Sequence, residues 1–165
     1  KATVGFGGSV TTRQLNLPQI MKEQGHEVFD HYVGSPEERA LTRKKQLTCD
    51  VFIASSNALT LDGKLVNIDG TGNRVAAMIF GPGHVVLVVG ANKITDTLQQ
   101  ALDRAKDIAS PMNTIRLDCS TPCKATGQCH DCSGESRICN ITVIIERRPM
   151  QTPYTVIVVG DELGN

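Results

Sequence analysis

The amino-acid sequence predicts an α/β fold, a three-layer sandwich around a mostly parallel, mixed sheet. Three observations carry that prediction. The strand candidates are short and apolar throughout, as at residues 50–55 (DVFIAS) and 84–89 (HVVLVV), which is how strands covered on both faces read. They alternate with helical segments, the pattern of a parallel sheet between helices. One hairpin signal, Asp62-Gly63, makes the sheet mixed.

The elements follow in order. Residues 2–6 read as a buried strand, with Gly7-Gly8-Ser9 directly after it. Thr11 and Thr12 are candidate N-caps for a short helix over residues 13–15, since a hydroxyl oxygen accepts from an orphan N–H. Pro18 suits the first turn of a second helix that Gly25 closes. A strand over residues 26–30 comes next. Ser35-Pro36-Glu37-Glu38 then supplies an N-cap, a Pro at N1 and a Glu at N3, which is a capping box. Arg43, Lys44 and Lys45 complement the far end of that helix. The strand at 50–55 leads to the hairpin of 58–61 and 64–66. Residues 74–80 read as a short helix stopped by Gly81-Pro82-Gly83, and 84–89 as a buried strand. From Ile94 the residues Leu98, Ala101, Leu102, Ala105, Ile108 and Ala109 recur at helical spacing, and Pro111 is predicted to end that helix. Residues 114–117 read as a strand-like approach to a cysteine segment. Two strands, 141–146 and 154–159, finish the chain.

With 165 residues, 40% apolar and 21% charged, the chain can build a core without disulfides, and residues 1–165 read as a single domain. Lys+Arg and Asp+Glu are equal at 17 each, and no basic run or aromatic–basic patch breaks the balance. The electrostatic footprint of nucleic-acid binding is missing. No apolar run approaches the roughly 18 residues of a membrane-spanning helix, so membrane insertion is not expected. The opening KATVGFGG already heads into a strand and a glycine turn, so further residues are expected before Lys1. No G-x-S-x-G elbow, Walker loop or G-x-G-x-x-G fingerprint is present.

Five of the six cysteines fall in residues 119–139, CSTPCKATGQCHDCSGESRIC. A disulfide framework suits small secreted chains without a core, and five cysteines cannot all pair locally. A redox pair at Cys129 and Cys132 leaves three cysteines idle. Metal binding accounts for the most sulfurs. Two cysteines separated by two residues aim at one ion from a tight turn, and Gly127 and Gly134 give the backbone freedom for a wrap. Cys123, Cys129, Cys132 and Cys139 enclose the compact ligand set, with Cys119 as the spare or substitute. One Cys-x2-Cys flanked by single cysteines is nearer to a ferredoxin pattern than to the paired knuckles of a zinc ribbon. An iron–sulfur cluster, of the 4Fe–4S kind, is therefore expected, with zinc as the alternative. His130 lies within the segment, within reach of a sulfur. Cys49 precedes a buried strand and reads as a small core residue, and His26, His31 and His84 read as structural.

Other polar groups cluster at strand ends. Gly7, Gly8 and Ser9 can present backbone N–H groups to an anion. Asn67-Ile68-Asp69-Gly70-Thr71-Gly72-Asn73-Arg74 is the most polar stretch of the chain. Arg74 offers a fork for a carboxylate or phosphate, and Asp69 is a candidate acid or base. The alternative is a glycine-rich connection in which Asp69 and Asn73 satisfy backbone groups. Asn57 and Asn67 join the candidate anion site, and Lys93, after the strand at 84–89, is a second catalytic candidate beside its reading as a surface lysine.

The run SNALTLDGKLVNIDGTGNRVAAMIFGPGHVVLVVGANKI, with TPCKATGQCHDC and SRICN, resembles the LUD domain of the lactate-utilisation proteins. GFGGSVT and VVGDELG fit the same family, so the resemblance covers nearly the whole chain. It implies a fold similar to ribose-5-phosphate isomerase and coenzyme A transferases, and a cytoplasmic setting. Some members of the family act in lactate-oxidising complexes that carry iron–sulfur clusters on a partner or separate module. Here the cysteines lie inside the domain itself, so the resemblance does not name lactate as the substrate. Three functions follow as expectations: a cluster protein with a redox or small-anion role, an isomerase- or transferase-like enzyme pinned by zinc, or a non-enzymatic accessory subunit. The first implies a redox partner protein, and self-association is left open.

Overall fold

Five apolar strands pair in parallel in the order β2-β1-β3-β6-β9: β1 (Thr3–Phe6), β2 (Glu27–Asp30), β3 (Val51–Ala54), β6 (His84–Gly90) and β9 (Tyr154–Val159). This mostly parallel sheet, with helices around it, is the α/β architecture that the alternating apolar runs predict. The computed structural model describes residues 1–165, which group into two compact units. The first unit holds this sheet and comprises Lys1–Ser55, Asn73–Asn92 and Arg148–Gly164. The second comprises Ser56–Gly72, Lys93–Arg147 and Asn165.

In the first unit, the two faces of the sheet are buried by different helices. Val4, Phe6, Ile53 and Val88 project towards α1 (Val10–Gln14) and α2 (Leu17–Glu23), where Leu15, Leu17 and Met21 meet them. Each large apolar side chain buried in this way contributes about 1.5–3 kcal/mol. α3 (Pro36–Gln46) packs on β1 and β2, and α4 (Asn73–Ile79) packs on β3. The capping box of α3 forms as its sequence predicts: Glu38 N–H donates to Ser35 Oγ (3.3 Å) while Ser35 N–H donates to Glu38 Oε2 (2.7 Å). Gly25 ends α2 at φ +83°. At α1 the outcome differs from the expectation. The cap is Ser9, whose Oγ accepts from Thr12 N–H (3.3 Å), and Thr11 and Thr12 lie inside the helix.

α3 approaches the sheet closely because β1 carries no side chain at Gly5. A Cβ there would lie 2.9 Å from Cys49 Sγ, 3.1 Å from Phe52 Cδ2 and 3.2 Å from Gln46 Cγ. Gln46, 1% exposed, exploits this approach. Its Nε2 donates to the carbonyls of Phe6 (2.8 Å) and Phe29 (3.0 Å) and sits 3.0 Å from His31 Nδ1.

The second unit is built on a smaller mixed sheet in the order β7-β4-β5-β8. β4 (Ala58–Thr60) and β5 (Leu65–Asp69) form the predicted hairpin, with Asp62-Gly63 in its turn. β7 (Ile94–Thr95) lies parallel to β4, and β8 (Ile141–Ile145) antiparallel to β5. The hairpin thus belongs to a separate sheet, not to the parallel one. Ala58 and Val66 pack against Ala101 and Ala105 of the long helical segment. That segment starts later than its apolar pattern suggests, because Thr97 and Gln100 form a capping box ahead of α5 (Leu98–Asp103). It also does not stop at Pro111. After α5 the chain widens into a π-helical stretch, Arg104–Ala109, and continues as α6 (Ser110–Arg116) with Pro111 in its first turn. A proline in a regular α-helix would remove one hydrogen bond and drive its ring into the carbonyl four residues back. The wider π turn relieves that clash, and Ser110 Oγ donates to Ala105 O (2.8 Å). Residues 114–117, predicted to be strand-like, are therefore the end of α6 and its cap. α7 (Pro122–Thr126) completes the helices, and none is long and apolar enough to cross a membrane.

Two predictions follow. Gly5→Ala overpacks the α3 face and lowers the urea-unfolding free energy by about 1–3 kcal/mol; an unchanged midpoint would show that Cys49 and Phe52 move aside freely. His31 has a pKa below its ordinary value, chiefly because of burial and secondarily Arg43, against the upward pull of Asp30. The unfolded chain protonates first, so the stability due to this group is present above about pH 6.5 and is lost as pH falls towards the folded value. Wild type should lose more stability than His31→Asn between about pH 7 and pH 5; parallel urea-unfolding curves across that range would contradict this.

Candidate functional site: a four-cysteine cavity

The cysteine segment hangs from fixed points of the second unit. At its N-terminal side, Pro122 at N1 starts α7, and Gly127 ends it in the left-handed region (φ +73°) with its N–H on Cys123 O (2.8 Å). At its C-terminal side, Asn140 N–H donates to Asp69 O (3.2 Å) and Asn140 Nδ2 to Gly70 O (3.2 Å). The return is therefore tied to the end of β5. Gly134 does not use a positive φ as expected. The second left-handed position of the wrap is Asp131 (φ +45°), between Cys129 and Cys132.

Between these anchors lies a cavity of about 110 Å³. Cys123, Cys129, Cys132 and Cys139 all line it, whereas Cys119 does not. Ile68 and Thr142 close it from β5 and β8, and Lys106, Ser110 and Pro111 from the long helical segment. The six cysteines form no disulfide. No three His, Cys, Asp or Glu side chains converge on one point as ligands of a single ion.

Their environments are unlike one another. Cys123 is buried, and its Sγ lies 3.4 Å from Thr114 Oγ1 and 3.3 Å from Thr121 Oγ1. Burial opposes its ionisation, but hydrogen bonds with those hydroxyls and with backbone N–H groups of α7 together prevail, and its pKa falls below the ordinary thiol value. Burial raises the pKa of Cys139, and the neighbouring Cys129, Cys123 and Cys132 add to the rise while Arg137 opposes it. Asp131 N–H points at Cys129 Sγ (3.5 Å), a backbone donor set beside a sulfur by the turn itself. His130 Nε2 pairs with Thr126 Oγ1 (2.8 Å) instead of a sulfur. Cys49 is 2% exposed in the first unit, and burial raises its pKa, so it is the inert core thiol that its position suggests.

The remaining candidates fall in both units. In the first, Gly7 N–H is taken by Ile53 O (3.0 Å), and a Cβ on Gly7 would lie 3.3 Å from Arg74 Cγ. Arg74 Nη1 donates to Ser55 O (3.0 Å). Gly7, Gly8, Ser9 and Arg74 thus gather at the carboxyl ends of β1 and β3, where the strand order reverses, although Ser9 Oγ is engaged in capping α1. Asn73 opens α4. In the second unit, Asp69 Oδ1 accepts from Thr71 N–H (3.1 Å) and Gly72 N–H (2.8 Å), the backbone-satisfying role weighed against catalysis. Asn57 Oδ1 accepts from Ile68 N–H (2.8 Å), and Asn67 is fully buried. Lys93 is 4% exposed and so is no surface lysine.

Two arginines escaped the sequence reading. Arg104 is buried, and its Nη1 donates to the carbonyls of Asn57 (2.5 Å) and Asn165 (3.3 Å). Arg137 lies within the cysteine wrap. Its Nε donates to Cys139 O (3.0 Å), Nη1 to Cys132 O and Nη2 to Asp131 Oδ1 (3.2 Å). The one available signal was an arginine placed between two predicted ligands.

A family model described as the LUD domain matches residues 1–159. Among solved structures, the chain is similar to a DUF162 family protein from Deinococcus radiodurans, solved at 1.70 Å resolution, with 10% identity and a TM-score of 0.43 over 96% of this chain and 88% of that one. No curated protein matches.

The contrast between the cysteines is testable by alkylation. Treating the native apo protein with N-ethylmaleimide should leave Cys49 unmodified by mass spectrometry until urea unfolds the first unit. Labelling of Cys49 at the rate of the cavity cysteines would contradict its burial.

Proposed function

We propose that this chain, which belongs to the LUD-domain family, binds an iron–sulfur cluster through Cys123, Cys129, Cys132 and Cys139 and serves a redox role in the metabolism of a small anion. The carrying observation is that these four thiols line a single cavity. The cysteine spacing, one Cys-x2-Cys flanked by single cysteines, favours a cluster over zinc. The polar groups beside the sulfurs suit bound thiolates: the Thr121 hydroxyl at Cys123 and a backbone N–H at Cys129. Such hydrogen bonds tune the reduction potential of a cluster. When bound, the cluster supplies one-electron transfer. The protein's own part is to hold the sulfurs, to shield one side with Ile68, Pro111 and Thr142, and to place Lys106 and Arg137 near the anionic thiolates.

On this reading the small anion is held within the first unit, at Gly7, Gly8, Ser9 and Arg74, with Asn73 as a further polar contact. Arg74 beside the glycine turn supports the placement, since a guanidinium fork matches a carboxylate or phosphate. A redox partner protein and a cytoplasmic setting, where thiols stay reduced, go with the same proposal.

Protein purified without oxygen should be brown, with broad visible charge-transfer absorption and about four irons per chain. Cys132→Ser should lose the chromophore and Cys119→Ser should retain it. A colourless anaerobic preparation carrying one zinc per chain would sink the cluster reading and leave the zinc-pinned enzyme.

A further inference from the structure

A four-cysteine site can be assembled by its metal or be shaped before the metal arrives. The hydrogen bonds of a single side chain in this wrap suit the second. Arg137 spans three acceptors that belong to two ligand groups: the carbonyl of Cys132, the carbonyl of Cys139 and the carboxylate of Asp131. Asp131 is the left-handed residue of the Cys129–Cys132 turn (φ +45°), a conformation that Asp enters more readily than most side-chain-bearing residues. Its Oδ1 is held by Arg137 Nη2 (3.2 Å) and also faces Lys106 Nζ at 3.7 Å. Arg137 is itself anchored. Its N–H closes a turn on Gly134 O (3.0 Å), and its carbonyl accepts from Asn140 Nδ2 (3.2 Å), the same amide that donates to Gly70 O. One continuous chain of hydrogen bonds therefore runs from the end of β5 through Asn140 and Arg137 to Cys132, Cys139 and the Cys129–Cys132 turn.

We propose that Arg137 is the positioning residue of the cysteine site, fixing the Cys129–Cys132 turn against Cys139 in the metal-free chain. The inference rests on the metal-binding reading above and adds to it how the chain builds the site. Arg137 ligates nothing. Its guanidinium fork matches three oxygens at once, which neither glutamine nor the single ammonium of lysine can do. Removing it frees the turn and the return strand to move independently, so the cost falls on metal affinity and not on the saturated ligand set. The hydrophobic core of the second unit, Ala58, Val66, Ala101 and Ala105, lies elsewhere.

The test is an anaerobic Co²⁺ titration of the apo protein, followed by sulfur-to-cobalt charge-transfer absorption, for wild type, Arg137→Gln and Arg137→Lys. Both variants should bind Co²⁺ about 10- to 100-fold more weakly than wild type, the range for outer-shell partners of metal ligands. The absorption at saturation and the apo thermal midpoint should match wild type. Should Arg137→Gln lose its apo fold, Arg137→Lys, which keeps the charge and length, carries the same comparison. Variants that bind Co²⁺ as tightly as wild type, or that saturate with a weaker thiolate band, overturn the positioning role while leaving the metal site intact. A wild-type chain that takes up neither Co²⁺ nor a reconstituted cluster overturns the metal reading, and this inference with it.

Discussion

Pro111 has no N–H to give, and the second unit is arranged around that absence. A helix of regular pitch would have to end there. The chain instead widens into a π-helical stretch at Arg104–Ala109 and carries on as α6, with Ser110 Oγ supplying a donor to Ala105 O. The consequence is positional. The N-terminal half of the segment presents Ala101 and Ala105 to the sheet. The π turn and the first turn of α6 present Lys106, Ser110 and Pro111 to the cysteine cavity, and the next turn brings Thr114 to Cys123 Sγ. A helix broken at Pro111 would leave both the floor of the cavity and the hydroxyl beside its buried sulfur without a support. π stretches recur at functional sites for this reason: they redirect a helix face without ending it.

The six cysteines show how one residue type divides by surroundings. Cys49 packs under Gly5 with its Sγ against Gln46 O (3.1 Å) and Val51 O (3.2 Å), and burial makes its thiolate costlier even though backbone N–H groups of Gly5 and Cys49 pull the other way. Cys123 is also buried, yet hydroxyls and backbone N–H groups of α7 lie against its sulfur. The two shifts differ in sign because burial outweighs the hydrogen bonds at Cys49, whereas the hydrogen bonds together outweigh burial at Cys123.

Much of the fold was legible because its signals are local. The capping box at Ser35, the glycine that ends α2, the hairpin turn and the apolar strands each depend on residues a few positions apart. The LUD resemblance in the Asn67–Arg74 and cysteine motifs is matched by the family model over residues 1–159. What escaped depends on partners distant in sequence or on choices between equal candidates. Ser9, Thr11 and Thr12 are all competent caps, and the turn after β1 selects Ser9. Pro111 is a helix breaker by every local rule, and only a donor from Ser110 and a wider turn carry the helix past it. Lys93 follows a strand in sequence, and no local pattern says that it is buried. Arg137 reads as a surface charge until the wrap folds three acceptors around it. The two sheets could not be separated either, since the apolar pattern of a strand does not say which neighbour it pairs with.

Exposure argues for what the cavity does. Cys123 is buried, whereas Cys129, Cys132 and Cys139 are only partly so, and Lys106, His130 and Arg137 stand at the same cavity. A metal whose role is to pin a loop is best closed off on all sides by its four ligands. Here one sulfur is rooted in the fold by α7, Thr114 and Thr121, and the other three lie on a wrap held by hydrogen bonds to backbone carbonyls. An electron carrier needs that division, since the cluster must be rigidly held on one side and close to a partner on the other. On the proposed reading, the wrap is the face through which electrons leave. On that reading the polar groups along it would serve the redox couple, and Ile68 and Pro111 would form an apolar side of the cavity.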